Sequence, residues 1–317
     1  MIHRIIDIIN RNATFLITSH ERPDGDALGS ELALYQMLRT SGKTVTVYNQ
    51  DQTPGDYRFL PGADVIVHEL RPTESFDVAF ILDCSELERV GREAGRIGRI
   101  RQIVSIDHHV SNGGFCDATL LDAGASSTGE LIFRLAEAMA LPLTPEMAMN
   151  LYAALLTDTG GFCYGNTTRD CLLIAGRLVE SGARPQWISE NIYDNAPLVK
   201  IRLLAVMLES LALDLNGRVG SMIVTQENLA NTGALQEHTE GLVDLPRTIE
   251  GVQISILFSE LEKNYFKLSL RSKGRFDVER VARKLGGGGH VNAAGCRIKG
   301  DIATVKRLVL AQIEAVV

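Results

Sequence analysis

"ATFLITSHERPDGDALGSELALYQML", residues 13–38, joins an apolar run to a helical pattern through a loop that holds His20, Asp24 and Asp26. "ATFLITS" reads as a buried strand, and "LGSELALYQMLRTSG" as a helix that Gly42 can end. A helix start needs one capping Asp or Ser. Taken alone, Asp26 is as well explained as that cap as by any other role. The cap accounts for neither a His nor a second Asp, so this handover from strand to helix carries charge that local structure does not require.

The same alternation continues outward from this stretch. "TVTVYN", "FDVAFILDC" and "RQIVSIDHH" are further strands, the last two nearly continuous apolar runs of the kind a parallel sheet buries on both faces. Helical patterns follow in "STGELIFRLAEAM", in "TPEMAMNLYAALLTD" with Pro145 near its start, and in "TRDCLLIAGRLVESG". The pattern predicts an α/β fold: a largely parallel sheet flanked by helices over residues 1–184. Residues 185–214 read as a helical linker broken at Pro197. Residues 215–317 read as a smaller α/β domain with a mixed sheet. It would hold a strand "RVGSMIVT", a helix near "ALQEHTEGLV", a hairpin turning at Lys263-Asn264 and two closing helices.

Composition narrows the function. The chain has 317 residues, 45% hydrophobic and 22% charged, with a net charge of −7. Such a charge disfavours a protein that coats long duplex DNA, whose affinity comes from many neutralised phosphates. No apolar run reaches the roughly 18 residues of a membrane span. Five scattered cysteines without a CxxC pair point to reduced thiols and a cytoplasmic location. Cys84, beside Asp83, reads as a small buried filler.

Three strand ends deliver acids and imidazoles to one edge: His20, Asp83, and Asp107 with His108 and His109. In an open parallel sheet that edge is where ligands bind. Asp158, at the end of a helix and just before Gly160-Gly161, can join them. Singly, Asp83 suits a turn cap, His108 and His109 suit packing or surface positions, and Asp158 suits a helix end. Together they would repel and desolvate one another without cations. A mixed Asp/His donor set without Cys favours Mn²⁺, with Mg²⁺, Co²⁺ or Zn²⁺ as alternatives. About six ligands suit two ions roughly 3.5–4 Å apart, an arrangement that activates water and stabilises a leaving phosphate oxygen.

These residues resemble a known family. "HERPDGDALGS", the Asp of "ILDCS", "SIDHHVSN" and "ALLTDTGGF" are similar, in order, to the four motifs of the DHH phosphoesterases. "GGGGHVNAAG", residues 286–295, is similar to the glycine-rich motif of their associated C-terminal domain. Size and layout resemble the nanoRNase/pAp phosphatase group, which degrades very short RNA and 3′-phosphoadenosine 5′-phosphate (pAp). The resemblance implies that His20 and Asp24 bind one metal, that Asp26, His108 and Asp158 bind the other, and that Asp83 bridges both. It implies further that Asp107 orients His108 and that His109 faces the scissile phosphate.

In the second domain, Arg271 and Ser272 end a predicted strand, and Arg suits bidentate phosphate contacts. The other bases of "RSKGRFDVERVARK" read as a solvated face. Gly286, Gly287, Gly288 and Gly289 would let backbone N–H groups approach an anion. The resemblance adds His290 as a phosphate contact. "TGGFCYGNTT", residues 159–168, reads either as part of the cleft lining or as a plain turn and short strand.

The expected function is a two-metal phosphoesterase acting between its domains on short single-stranded RNA, dinucleotides or pAp, away from membranes; a homodimer is compatible with it. Three rivals stand beside it. A family II pyrophosphatase would lack the glycine-rich motif. A cyclic- or linear-dinucleotide phosphodiesterase would show narrower substrate choice. A non-catalytic nucleotide binder would have lost a ligand, and none is missing.

Overall fold

Phe15, Leu16 and Ile17 alternate between the faces of β1 (Thr14–Thr18), and all three are buried, so this strand needs cover on both sides. The computed structural model describes residues 1–109 and 116–315 and divides into two units, Met1–Asn195 and Ala196–Val317. In the first unit β1 pairs in parallel with β2 (Thr44–Tyr48) and with β4 (Val78–Leu82). With β3 (Ile66–Val67), β5 (Gln102–Asp107) and β6 (Ala118–Leu121), the described residues form a six-stranded parallel sheet in the order β3-β2-β1-β4-β5-β6.

Helices α1 (Ile2–Arg11), α2 (Gly25–Thr40), α4 (Thr128–Ala138) and α5 (Pro145–Asp158) share a core with one face of this sheet. Phe15 and Phe80 stack there with ring centroids 6.1 Å apart. The opposite face, with Leu16, Ala79 and Ile81, is covered by Val90 and by Ile97 of the short α3 (Ala94–Ile97). The helices α6 (Arg169–Glu180) and α7 (Pro185–Tyr193) pack at the edge of the first core.

Two close approaches fix where the helix ends fall. A Cβ on Gly29 of α2 would lie 2.4 Å from the carbonyl oxygen of Asn150, and one on Gly129 of α4 would lie 2.5 Å from the Cβ of Ala154. Without side chains at these positions, α2 and α4 both settle directly on α5. Strand order reverses between β1 and β4, the point at which open α/β sheets form a crevice.

The second unit contains α8 (Leu198–Glu209), β7 (Ala212–Asp214), β8 (Val219–Val224), α9 (Gln226–Thr232), β9 (Ile254–Glu262) and β10 (Tyr265–Ser272). It continues with α10 (Val278–Lys284), β11 (Gly288–His290), β12 (Ala293–Lys299) and α11 (Ile302–Glu314). Its sheet runs β11-β12-β10-β9-β8-β7 and is mixed, with β8 and β9 parallel and β9 and β10 forming the antiparallel hairpin. The helix expected near 234–243 is not there. It lies earlier, as α9, because Gly233 (φ 72°) ends it, and 3₁₀ turns occupy Gln236–Thr239 and Leu242–Thr248. Between the units, α7 falls in the first and α8 in the second, with Pro197 as the N-cap of α8.

Candidate metal centre

The loop after β1 starts α2 with Asp24, whose Oδ1 accepts from the N–H groups of Asp26 and Ala27, both at 3.1 Å. Asp24 is therefore the cap, and Asp26 is not. Freed from capping its own helix, Asp26 reaches the start of another. Its Oδ2 accepts from Thr128 N–H at 2.7 Å and its Oδ1 from Gly129 N–H at 2.9 Å, both at the N-terminus of α4. The unpaired amides and positive dipole end of a helix suit a buried carboxylate there. Asp83 follows β4 in the left-handed region (φ 52°), and its Oδ1 accepts from the Thr128 hydroxyl at 3.0 Å. Asp158 closes α5, and the Asn166 amide donates to its Oδ2 at 3.2 Å.

The imidazoles are aimed by main-chain carbonyls. His20 Nδ1 lies 2.8 Å from Glu21 O, leaving Nε2 3.6 Å from Asp83 Oδ2. His108 Nδ1 lies 3.3 Å from Ala125 O. Its Nε2 is 3.5 Å from Asp158 Oδ2 and 3.7 Å from both Asp26 Oδ2 and Asp83 Oδ1. A ring that donates from Nδ1 keeps a lone pair on Nε2 for a metal. These 3.5–3.7 Å gaps are too long for hydrogen bonds. They fit two bonds of about 2.0–2.2 Å converging on one cation.

Among the described residues, His20, Asp24 and Asp83 offer ligand atoms within 4.8 Å of one another, and so do Asp26, His108 and Asp158. A third such group is Asp83, His108 and His109. Asp83 thus stands in two groups and contacts the other through His108.

Electrostatics agree with this donor set. Burial, with neighbouring carboxylates, pushes Asp24 and Asp26 above the usual range, and pushes Asp158 up to about 7. Burial would raise Asp83 too, but the contact with His20 and the charges of the three histidines hold it below the usual range. Burial would lower His20, yet the Asp83 contact and the charges of Asp24 and Asp83 raise it to about 9. The cluster therefore retains protons unless cations take their place, which is the behaviour of a metal site.

One orientation differs from expectation. Asp107 does not hold His108. Its Oδ1 takes the His109 ring at Nδ1 (2.7 Å) and the His109 N–H (3.1 Å). Side chains alternate at the end of a strand, so residue i+2 returns to the side of Asp107 while His108 turns towards Ala125. Thr128 and Gly129 escaped the sequence reading; Asn166 did not, since it lies in the stretch read as cleft lining or as a plain turn and short strand. The signal for the first two was present: Ser127-Thr128-Gly129-Glu130 is a capping sequence, and Ser127 Oγ does accept from Glu130 N–H at 3.1 Å. Asn166 lies in residues 159–168, which form turns leading to Thr168, the N-cap of α6, with no strand.

In the second unit, Arg271 and Ser272 are the last residues of β10, as expected from sequence. Ser272 is buried, and its hydroxyl donates to Phe276 O and accepts from Asn292 Nδ2, so it serves the turn rather than a ligand. The glycine run is less open than its sequence suggests. Gly288–His290 is the edge strand β11, and a Cβ on Gly287 or Gly289 would lie 2.1 Å from Gly295 O or 2.5 Å from Ala293 O. These glycines let two strands approach. Val110 to Asn112 of "SIDHHVSN" and the side chain of His290 lie outside the described residues. Among the described residues no helix is long and apolar enough to cross a membrane.

Comparison with known proteins covers both units. Residues 14–156 match the DHH family N-terminal domain, and residues 220–317 match the DHHA1 domain. The chain is 31% identical to a bifunctional oligoribonuclease and PAP phosphatase NrnA of Thermus thermophilus, across 90% of this chain and 84% of that one. It is 26% identical to the protein of the same description in Bacillus subtilis, across 93% and 92%. Among solved structures, an exopolyphosphatase-related protein from Bacteroides fragilis superposes with a TM-score of 0.94 at 29% identity, covering 99% of this chain and 95% of that one.

Proposed function

Because the chain belongs to the DHH family, with a DHHA1 domain as its second part, we propose that this metal-dependent phosphoesterase hydrolyses very short RNA, dinucleotides and pAp, with Mn²⁺ as the working ion. The observation that carries the reading is the pair of ligand groups, His20/Asp24/Asp83 and Asp26/His108/Asp158, with Asp83 Oδ1 3.7 Å from His108 of the second. In the proposed assignment His20 and Asp24 hold one ion, Asp26, His108 and Asp158 the other, and Asp83 both. Bound there, divalent cations lower the pKa of water towards neutrality and neutralise charge on the leaving phosphate oxygen.

The remaining work belongs to the chain. The amides of Thr128 and Gly129 fix both oxygens of Asp26, and Asn166 fixes Asp158. Burial would lower His109, but the hydrogen bond to Asp107 and the charge of Asp83 raise it, which favours the imidazolium. We assign the His109 ring, oriented at Nδ1 by Asp107, to the scissile phosphate. In the second unit we assign Arg271, the Gly287–Gly289 backbone and His290 to grip of a terminal phosphate. The relatives' descriptions and the place of Arg271 near the end of β10 support that assignment. Free Cys84, Cys171 and Cys296 are buried as thiols, which supports a reducing compartment such as the cytoplasm.

The test is one panel with Mn²⁺: pAp, dinucleotides, single-stranded RNA from two to about 25 nucleotides, cyclic dinucleotides and pyrophosphate. A chain of net charge −7 gives long polyanions no general attraction, and each added nucleotide costs ordering without a new partner. Efficiency should peak at the shortest substrates. A flat or rising length profile would overturn this reading, and activity confined to one dinucleotide would favour a signalling-dinucleotide hydrolase. Asp83→Ala should lose at least about 10³-fold in kcat. Near-wild-type turnover in that variant at saturating Mn²⁺ would sink the two-metal assignment.

A further inference from the structure

Beyond Asp158 the chain makes a turn that the metal site does not require. Gly160, Gly161 and Phe162 are successive left-handed residues (φ 57°, 72° and 64°), with the Phe162 ring packed against Tyr152 at 5.8 Å between centroids. This turn brings Tyr164 back over Gly160, where a Cβ would fall 2.3 Å from the Tyr164 Cζ. The Tyr164 N–H donates to Thr159 O at 2.9 Å. The ring thereby lies against the Gly160 backbone, yet it is 49% exposed, and Tyr193 at the end of α7 is 47% exposed. Both line a hollow of about 520 Å³ together with Leu156, Thr157, Gly160 and Ser189.

The hollow adjoins the candidate metal centre. Thr157 directly precedes Asp158, and a Cβ on Gly25, between Asp24 and Asp26, would lie 2.5 Å from Thr157 Oγ1. No Lys, Arg, Asp or Glu is among its lining residues, so it is unsuited to a phosphate. Aromatic rings, hydroxyls and bare glycine backbone instead suit a flat, neutral, hydrogen-bonding group.

We propose that this hollow takes a nucleobase of the oligonucleotide, stacked on Tyr164 and walled by Tyr193, while the adjoining phosphate lies at the metal ligands. The proposal rests on the phosphoesterase reading for its substrate class. It makes the first unit a reader of bases as well as the seat of hydrolysis. Stacking tolerates any base, so the pocket would confer a requirement for a base without strong sequence preference.

The experiment compares an adenine dinucleotide with the same dinucleotide lacking its bases, using Mn²⁺-loaded wild type, Tyr164→Ala, Tyr164→Phe and Tyr193→Ala. Tyr164→Ala should raise KM for the adenine dinucleotide about ten-fold or more, with kcat little changed, and should scarcely affect the abasic analogue. Tyr164→Phe should behave like wild type, and Tyr193→Ala should show a smaller loss with the same selectivity. Equal losses on both substrates, or no loss on either, would overturn the pocket. Melting temperature and Mn²⁺ stoichiometry should stay at wild-type values in all variants. Fluorescence of a 2-aminopurine dinucleotide gives a readout independent of turnover: quenching by wild type that is lost in Tyr164→Ala supports the pocket, and no quenching by wild type refutes it. Quenching without hydrolysis of any phosphodiester would sink the phosphoesterase reading and leave the pocket standing.

Discussion

Thr128 shows how much one residue contributes here. Its N–H holds Asp26 at 2.7 Å and its hydroxyl holds Asp83 at 3.0 Å, so a single side chain and its own amide tie together two carboxylates from different strand ends. Thr128→Val keeps the shape and the amide but removes the hydroxyl, leaving buried Asp83 Oδ1 with one donor fewer. Loss of such an outer partner typically costs about 10- to 100-fold in metal affinity or activity. Mn²⁺ titration and kcat should both register it, and Thr128→Ser should restore both. A Val variant with wild-type affinity and kcat would show the hydroxyl to be idle. Cys84 is the contrasting neighbour: burial pushes its thiol up to about 12, and its S–H donates to Glu86 O, so beside Asp83 it stays an inert filler.

At the scale of elements, the loop carrying His20 is strapped by the three residues that follow β2. Ser19 Oγ donates to Asn49 Oδ1 at 3.3 Å, Gln50 Nε2 donates to Glu21 Oε1 at 2.8 Å, and Arg22 N–H donates to Asp51 Oδ2 at 2.7 Å. Arg22 is itself in the left-handed region (φ 55°), a conformation that an outside partner must hold. Gln50→Ala and Asp51→Ala should therefore weaken one of two Mn²⁺ ions by about 10-fold or more while sparing the other. Mn²⁺ titration followed by electron paramagnetic resonance resolves the two. Equal weakening of both, or of neither, would show that the strap does not position His20. This strap marks the limit of what sequence makes legible. The strand runs, the hairpin at Lys263-Asn264 and the edge on which acids collect were readable because they follow from local period and strand polarity. The strap joins residues about thirty apart and the Asp26 contacts join residues 102 and 103 apart, separations that leave no local period, so the α4 cap was legible but neither pairing was. The Asp107–His109 bond follows from strand alternation carried past Asp107, but the sequence does not mark how far beyond the strand that alternation continues. Gly287 and Gly289 also serve approach to a second strand, a use the sequence does not separate from approach to an anion, because both require the same residue.

At the scale of the whole molecule, protons and cations compete for one set of buried groups, and this competition should govern stability. Burial raises Asp158 to about 7 and Glu31, hydrogen-bonded to Asn49 behind the site, to about 8. A raised carboxyl pKa means that the folded state binds protons the unfolded chain releases. Their contribution therefore falls as pH rises from about 4 through the folded values. His20, raised to about 9 by its carboxylates against the effect of burial, contributes stability that is complete below its ordinary value near 6.5 and is lost as pH rises through 9. Asp83 is depressed, so its contribution is complete above the ordinary carboxylate range and adds no slope in this window. These three slopes thus have the same sign, and the raised Asp24, Asp26 and His109 share it. The metal-free protein should lose melting temperature steadily between pH 5 and 9, and saturating Mn²⁺ should flatten most of that loss by supplying the positive charge that protons supplied. Glu31 stands outside the proposed ligand set, so a residual slope near pH 8 should persist with metal and disappear in Glu31→Gln. Calorimetric scans across this range, in chelator and in Mn²⁺, measure each part. A metal-free protein whose stability rises from pH 5 to 9 would show that the buried carboxylates are not the groups that set its proton balance.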